Sequence, residues 1–120
     1  MDIVILIGRL LFGGLMLFAG INHFSGLSKL SNMARSKGVP LPTLATLVTG
    51  ILLMLGGLSY IAWYNPWWGT VLLLIFFVLV TLVMHRFWKV TDPAQRIQEM
   101  HTFMGNVSII GLLLIVLSFV

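Results

Sequence analysis

Four long apolar stretches, separated by short polar joints, occupy almost all of the 120 residues. A helix needs roughly 20 predominantly apolar residues to cross the hydrocarbon core of a bilayer, and each stretch reaches or approaches that length. The pattern therefore predicts an all-α, four-transmembrane-helix bundle in which residues 1–120 form a single membrane domain. The predicted spans cover approximately residues 3–22, 41–64, 67–84 and 100–120.

The joints between these spans carry their own structural signals. Between residues 28 and 37, apolar side chains recur at helical spacing and the cations lie away from them, which predicts a short amphipathic helix on the membrane surface. Asn65-Pro66 is a tight-turn signal that makes the second and third spans antiparallel neighbours. Asp92-Pro93 predicts the N-cap and first residue of the last helix, which should begin before the hydrocarbon does.

Composition restricts the classes of function. Hydrophobic residues make up 59% of the chain and charged residues 8%, so any charge inside a span is costly and informative. The chain has no cysteine, which excludes direct thiol oxidoreductase chemistry and metal binding through thiolates. The net charge of +4 comes from cations divided between two loops, an arrangement that favours anionic lipid over nucleic acid as the neighbour.

The cations of the loops also predict the orientation in the membrane. The first and third loops contain them, whereas the second loop and the end of the chain do not. By the positive-inside rule, the first and third loops face the cytoplasm and both termini lie outside. These loop cations are Lys29, Arg35, Lys37, Arg86, Lys89 and Arg96.

Polar and small residues recur at helical spacing on one face of each predicted span. Small residues allow helices to approach closely, and charge avoids lipid, so we expect these faces to point into the bundle. The predicted inward residues are Arg9, Gly13, Met16, Gly20 and His23; Thr43, Thr46, Gly50, Leu53, Gly57, Tyr60 and Tyr64; Thr81, His85 and Trp88; and Arg96, Glu99, Thr102, Phe103 and Asn106.

Arg9 is the cation inside the first span, and no carboxylate lies within any span to balance it. It precedes His23 by a distance of about 21 Å along a helix, which places it towards the outer leaflet near Tyr60 and Tyr64. Three roles are open for its guanidinium. It can reach lipid phosphate, bond to backbone carbonyls and tyrosine hydroxyls, or hold an anionic or carbonyl-bearing ligand.

Three histidines, His23, His85 and His101, are predicted near the cytoplasmic boundary, together with Asn106 and Thr46. Imidazole is a common ligand for metals and haem. No two of the histidines have the spacing of one helical turn, and no carboxylate is close enough in sequence to orient a ligating ring. We therefore expect no metal site, and hydrogen-bonding anchors instead. The tryptophans Trp63, Trp67, Trp68 and Trp88 fit interfacial anchors as well.

Several of these features, in this order and spacing, resemble the DoxX family of small four-helix membrane proteins. The resemblance implies the four-helix fold, a bacterial or archaeal plasma membrane location, and kinship with the membrane subunit of thiosulfate:quinone oxidoreductase; other members are linked to oxidative-stress and thiol-redox systems. The residues that carry it are Arg9, Gly20, Gly38-Val39-Pro40, Gly56-Gly57, His85-Arg86-Phe87-Trp88, Asp92-Pro93, Arg96, Glu99, Asn106 and Gly111.

Two positions depart from the family pattern. Leu53 stands where many members carry a glutamate, and His23 stands where a lysine is common. Loss of the buried acid removes the natural partner of Arg9 and a simple proton relay through the middle of the bundle.

The preferred hypothesis is a redox-associated membrane protein that binds a quinone-like molecule between its helices. Arg9 and Tyr60 would hold one polar end of it, or His85, Trp88 and Asn106 would frame a second site, with His23 and His101 at the same depth. Bundle interiors are usual places for such molecules. Whether the chain is itself an enzyme, as a quinone-linked oxidoreductase subunit, stays open.

Two further hypotheses belong to other classes. The first is a scaffold or assembly factor without catalysis, in which the basic cytoplasmic face docks a soluble partner such as a redox protein. The second is a transporter or channel, which needs a wet polar path. Met16, Leu53, Phe77 and Leu113 at mid-membrane are apolar, so such a path would require a homo-oligomer.

Overall fold

The computed structural model describes residues 2–120, and all regular structure in this part of the chain is helical. Four helices are long and apolar enough to cross a membrane, which confirms the predicted all-α bundle of a multi-pass membrane protein. The predicted short helix in the first loop is formed as well; its position on the membrane surface stays a prediction. The helices are α1 (Ile3–Ser25), α2 (Leu27–Ser36), α3 (Pro42–Ala62), α4 (Pro66–Met84) and α5 (Pro93–Leu117), with a 3₁₀ turn at Phe87–Lys89.

The helix ends follow from local chemistry. The Asp92 carboxylate accepts a hydrogen bond from the Gln95 backbone N–H at 3.0 Å, and Pro93 is the first residue of α5, so the predicted cap is confirmed. The turn between α3 and α4 is equally tight: Trp63 and Asn65 both adopt left-handed backbone conformations, with φ of 53° and 47°. Asparagine tolerates this region well, and the chain reverses within three residues.

α3 lies at the centre of the arrangement and packs closely against α1. A Cβ atom added to Gly57 would lie 2.6 Å from the Gly13 carbonyl oxygen, and one added to Gly20 would lie 2.8 Å from the Gly50 carbonyl oxygen. Only glycine permits backbones to approach this closely. The predicted inward faces of the first two spans are therefore confirmed where their glycines meet. The prediction is wrong for Thr43 and Tyr64 of the second span, which are exposed.

The opposite side of α3 packs against α4. Leu73 of α4 occupies the space beside Gly56, and Ser59 of α3 occupies the space beside Gly69. The buried core consists of apolar side chains from α3, α4 and α5, and Tyr60 is the member of this cluster that carries a polar group. The buried members are Leu53, Tyr60, Leu73, Phe76, Phe77 and Leu113.

α5 is the least covered of the long helices. It packs mainly against α4 and the 3₁₀ turn, and Leu113 is its one fully buried residue. The prediction that its polar face points wholly inward is therefore wrong for Arg96 and Thr102, which are exposed, whereas Glu99 and Asn106 are half-buried. A helix with a single main neighbour has only a narrow covered seam, and this seam cannot take in the whole predicted face.

Candidate functional site

Arg9 of α1 contacts the C-terminal end of α3. Its Nε donates to the Tyr60 carbonyl at 3.1 Å, its Nη2 donates to the Ile61 carbonyl at 2.9 Å, and its Cζ lies 5.1 Å from the centre of the Trp63 ring. The last carbonyls of a helix lack partners within the helix and carry partial negative charge. Of the roles open to Arg9, the structure therefore shows carbonyl binding, supplemented by a cation–π contact.

Tyr60 is brought to Arg9 as predicted, but through its backbone and not its hydroxyl. The hydroxyl lies 2.7 Å from the Thr70 hydroxyl of α4, which in turn donates to the Pro66 carbonyl at 2.7 Å. Tyr64, also expected near Arg9, is exposed instead. The sequence predicted only an interfacial anchoring role for Trp63. Its contact with Arg9 depends on the left-handed backbone of the turn after α3, which the spacing of apolar residues does not predict.

A second candidate site lies at the opposite end of the bundle. A cavity of about 360 Å³ lies between α2, α3 and α4, beside the last turns of α1. Side chains of α2 form one wall and side chains of α4 the other, and nearly all the lining atoms are apolar. Its polar lining residues are His23, His85, Thr46 and Thr49.

α2 borders this cavity because its apolar face packs against α3, which leaves the space between α2 and α4 open. Leu30, Met33 and Ala34, three of the residues that predicted the amphipathic helix, line the cavity. Ser31 is buried on the same face, and its hydroxyl lies 3.5 Å from the Thr46 hydroxyl of α3. The helix predicted to lie on the membrane surface thus forms one wall of the cavity.

Arg86, which follows α4, binds the end of α2. Its Nη2 donates to the Lys37 carbonyl at 2.8 Å, and its Nε donates to the Val83 carbonyl at 3.1 Å. Lys37 directly follows α2, where the helix leaves carbonyls without internal partners. The guanidinium therefore fixes the last turn of α2 against the transmembrane bundle.

We expect Arg86→Leu to loosen α2 while leaving the four long helices folded. Loss of a charge-assisted hydrogen bond costs about 1.5–3 kcal/mol, so amide exchange over residues 27–38 should accelerate by at least about tenfold. Hydrogen exchange of the protein in nanodiscs measures this directly. Lys89→Leu, which removes an exposed cation three residues away, is the control; equal acceleration in both variants would contradict the role given to Arg86.

Two predicted histidines meet at the cavity. The Nδ1 atom of His23 lies 2.9 Å from the Ala19 carbonyl oxygen, and its ring centre lies 6.0 Å from that of Phe76. The Nδ1 atom of His85 lies 2.9 Å from an oxygen of the Glu99 carboxylate. Each ring is therefore held in place at one nitrogen.

The contact between His85 and Glu99 corrects one expectation. The sequence predicted that no carboxylate lies close enough to orient a histidine ring, and for His85 this is wrong. The 3₁₀ turn and the joint that follows it reverse the chain, so that the second turn of α5 returns to the end of α4. A separation of 14 residues along the chain then becomes a hydrogen bond.

The other predicted site residues lie elsewhere. Trp88 packs edge to face against Phe87 and Phe103, at 5.3 Å and 5.6 Å between ring centres, where it joins the 3₁₀ turn to α5. Asn106 is half-buried on α5 and His101 is exposed on the same helix; neither belongs to the cavity lining. Within residues 2–120, no three metal-ligating side chains stand together.

Sequence reasoning missed one contributor to this end of the bundle. Thr49 directly precedes Gly50 on α3, and it was not assigned to a face of the helix from the sequence. It lies three residues after Thr46, a spacing that places two side chains on neighbouring parts of a helix surface. The buried hydroxyl of Thr81, in contrast, was expected to point inward and does; among the described residues it has no hydrogen-bond partner.

Comparison with known proteins supports the fold at the level of the family. The sequence model of the DoxX family matches residues 4–86, more than half of the chain, and takes in α2, α3, α4 and nearly all of α1. Glu99 and the rest of α5 lie beyond the matched residues. Comparison with curated proteins and with solved structures yields no match. The chain belongs to the DoxX family.

Proposed function

We propose that this DoxX-family membrane protein binds a quinone-like molecule in the cavity beneath α2, as part of a redox-associated role. The observation that carries the proposal is the cavity itself, an apolar compartment of about 360 Å³ that contains two oriented imidazoles. Sites for small molecules typically enclose roughly 300–1,000 Å³ of mainly apolar lining with a few polar groups that fix the orientation.

The fit to a quinone-like molecule rests on the distribution of polarity. Such a molecule has a flat apolar ring with oxygen substituents, and a long apolar tail that suits lipid. The cavity supplies apolar walls from α2 and α4, and hydrogen-bonding groups on His23, His85, Thr46 and Thr49. A bound quinone would supply the capacity to exchange electrons, for which this chain has no cysteine of its own.

This proposal moves the ligand away from Arg9. Arg9 and Tyr60 do not line the cavity, and the guanidinium is engaged with the carbonyls at the end of α3. Of the sites considered from the sequence, the one around His85 is therefore favoured, with His23 as its second imidazole in place of Trp88 and Asn106. The positive-inside rule further suggests that the cavity lies at the cytoplasmic side of the plasma membrane.

The direct test is to fill the cavity. Ala45 lines it, so Ala45→Phe should reduce the affinity for decylubiquinone by at least about tenfold, because the added ring takes up space that the ligand needs. Binding is measured by fluorescence quenching or calorimetry on protein purified free of quinone and placed in nanodiscs.

Val48→Phe is the matched control, since Val48 is on the same helix, is 47% exposed and does not line the cavity. It should bind the quinone as the unaltered protein does. Absence of saturable binding by the unaltered protein, or an equal loss in the two variants, would rule out the proposed site.

A further inference from the structure

The polar groups of the cavity have one property in common: the hydrogen that each could donate is already used within the protein. These groups are His23, His85, Thr46 and Thr49. The direction of each hydrogen bond follows from the chemistry of the partner, because a backbone carbonyl or an ionised carboxylate can only accept.

The histidines show this most clearly. The Nδ1 atom of His23 faces the Ala19 carbonyl, so that nitrogen must carry the proton and donate it. The Nδ1 atom of His85 faces the Glu99 carboxylate and donates in the same way. In its neutral form each imidazole has one N–H, which this hydrogen bond uses, so the remaining nitrogen, Nε2, is left as an acceptor.

The threonines follow the same rule. The Thr46 hydroxyl donates to the Pro42 carbonyl at 2.8 Å, and the Thr49 hydroxyl donates to the Ala45 carbonyl at 2.8 Å. Each hydroxyl has a single hydrogen, so both oxygens offer only lone pairs to anything else. Thr46 already accepts from Ser31, which leaves Thr49 as the freer of the two.

We infer that the cavity selects ligands that donate hydrogen bonds, and so prefers a quinol or phenol, with its O–H groups, to the corresponding quinone. This inference rests on the proposed function and specifies the ligand class of the same site. A quinone carbonyl would meet acceptors at the two imidazoles and at Thr49, and a polar group buried without a partner is unfavourable. A quinol hydroxyl meets the complementary groups.

Three probes that share one ring and tail separate the possibilities: decyl-substituted benzoquinol, its quinone, and the dimethyl ether of the quinol. The ether retains the oxygens and lacks the O–H groups. Under anaerobic conditions in nanodiscs, the quinol should bind about tenfold more tightly than either the quinone or the ether, as expected for one to two net hydrogen bonds.

Two variants trace the preference to its source. His85→Phe and Thr49→Val each remove an acceptor while retaining much of the shape, and each should reduce the ratio of quinol to quinone affinity by about threefold or more. Thr43→Val, an exposed threonine of the same helix, is the matched control and should leave the ratio unchanged. Thr49→Val keeps the test valid even where His85→Phe folds poorly.

The outcomes are distinct. Quinone binding as tight as quinol binding, with a ratio unaffected by either variant, would overturn the inferred donor selectivity and leave the proposed site intact. Failure of all three probes to bind would overturn both the selectivity and the proposed function. Tighter binding of the quinone would show that the imidazoles present N–H groups, and would likewise overturn the inference.

Discussion

Gly57→Ala is expected to lower the free energy of unfolding by about 3 kcal/mol, the largest effect of any single methyl group in this chain. The added Cβ would lie 2.6 Å from the Gly13 carbonyl oxygen and 2.6 Å from the Leu17 nitrogen. Both atoms belong to the backbone of α1, so neither can rotate away as a side chain would. The two helices must separate, and the contacts along their whole shared face weaken.

The measurement is reversible unfolding in mixed detergent micelles, followed by circular dichroism. Gly14→Ala is the control, because a Cβ at Gly14 meets no atom within 4 Å. Its effect should stay within about 1 kcal/mol, and its sign should follow the higher helix propensity of alanine. Similar destabilisation by both variants would show that the close approach of α1 and α3 is not the cause.

Arg9→Met is expected to destabilise the fold by about 3 kcal/mol or more. The variant keeps an unbranched apolar stem and loses both hydrogen bonds to the carbonyls of α3 and the contact with Trp63. Hydrogen bonds to charged groups are each worth roughly 1.5–3 kcal/mol. The two carbonyls that lose the guanidinium also have little water nearby to replace it. Hydrogen exchange should locate the loss at residues 58–65.

Arg9→Lys should recover only part of this stability, because an ammonium group cannot match two carbonyls with the planar geometry of guanidinium. Arg35→Met, which removes an exposed cation bonded to Asn32, is the matched control. The opposite pattern, with unchanged stability and lost quinone affinity in Arg9→Met, would restore the hypothesis that Arg9 holds the ligand.

The parts of the fold that depend on local chemistry were predictable from the sequence. Length and apolarity fixed the four spans, Asp92 and Pro93 fixed the start of the last helix, and the spacing of Gly13 and Gly57 placed them on facing stripes. Each of these signals is read from the residues of one helix and its ends. Their physical causes do not require knowledge of the neighbouring helices.

The features that escaped prediction all depend on tertiary contacts. Periodicity identifies a polar face on α5 but cannot tell how many neighbours the helix has, so the exposure of Arg96 was not foreseen. The contact between Glu99 and His85 needs the reversal after α4. The cavity depends on how far α2 stands from α3 and α4, a distance that no residue pattern encodes.

The core also bears on the transporter hypothesis. Leu53, Phe77 and Leu113 are 1%, 5% and 2% exposed, and together they close the middle of the bundle with apolar side chains. Ions and polar solutes need a lined aqueous route, and these three side chains occupy the place where it would run. None of these three side chains lines the cavity beneath α2.

A separate ten-residue helix, held by Arg86, forms one side of the cavity. Because this helix is not one of the four candidate spans, its sequence need not have the apolarity of a span. Substitutions at Leu30 and Met33 can reshape the enclosed volume while the membrane-crossing framework keeps its hydropathy. A change in which molecule is accommodated can thereby arise from a few positions in this short helix, with the four long helices left unchanged.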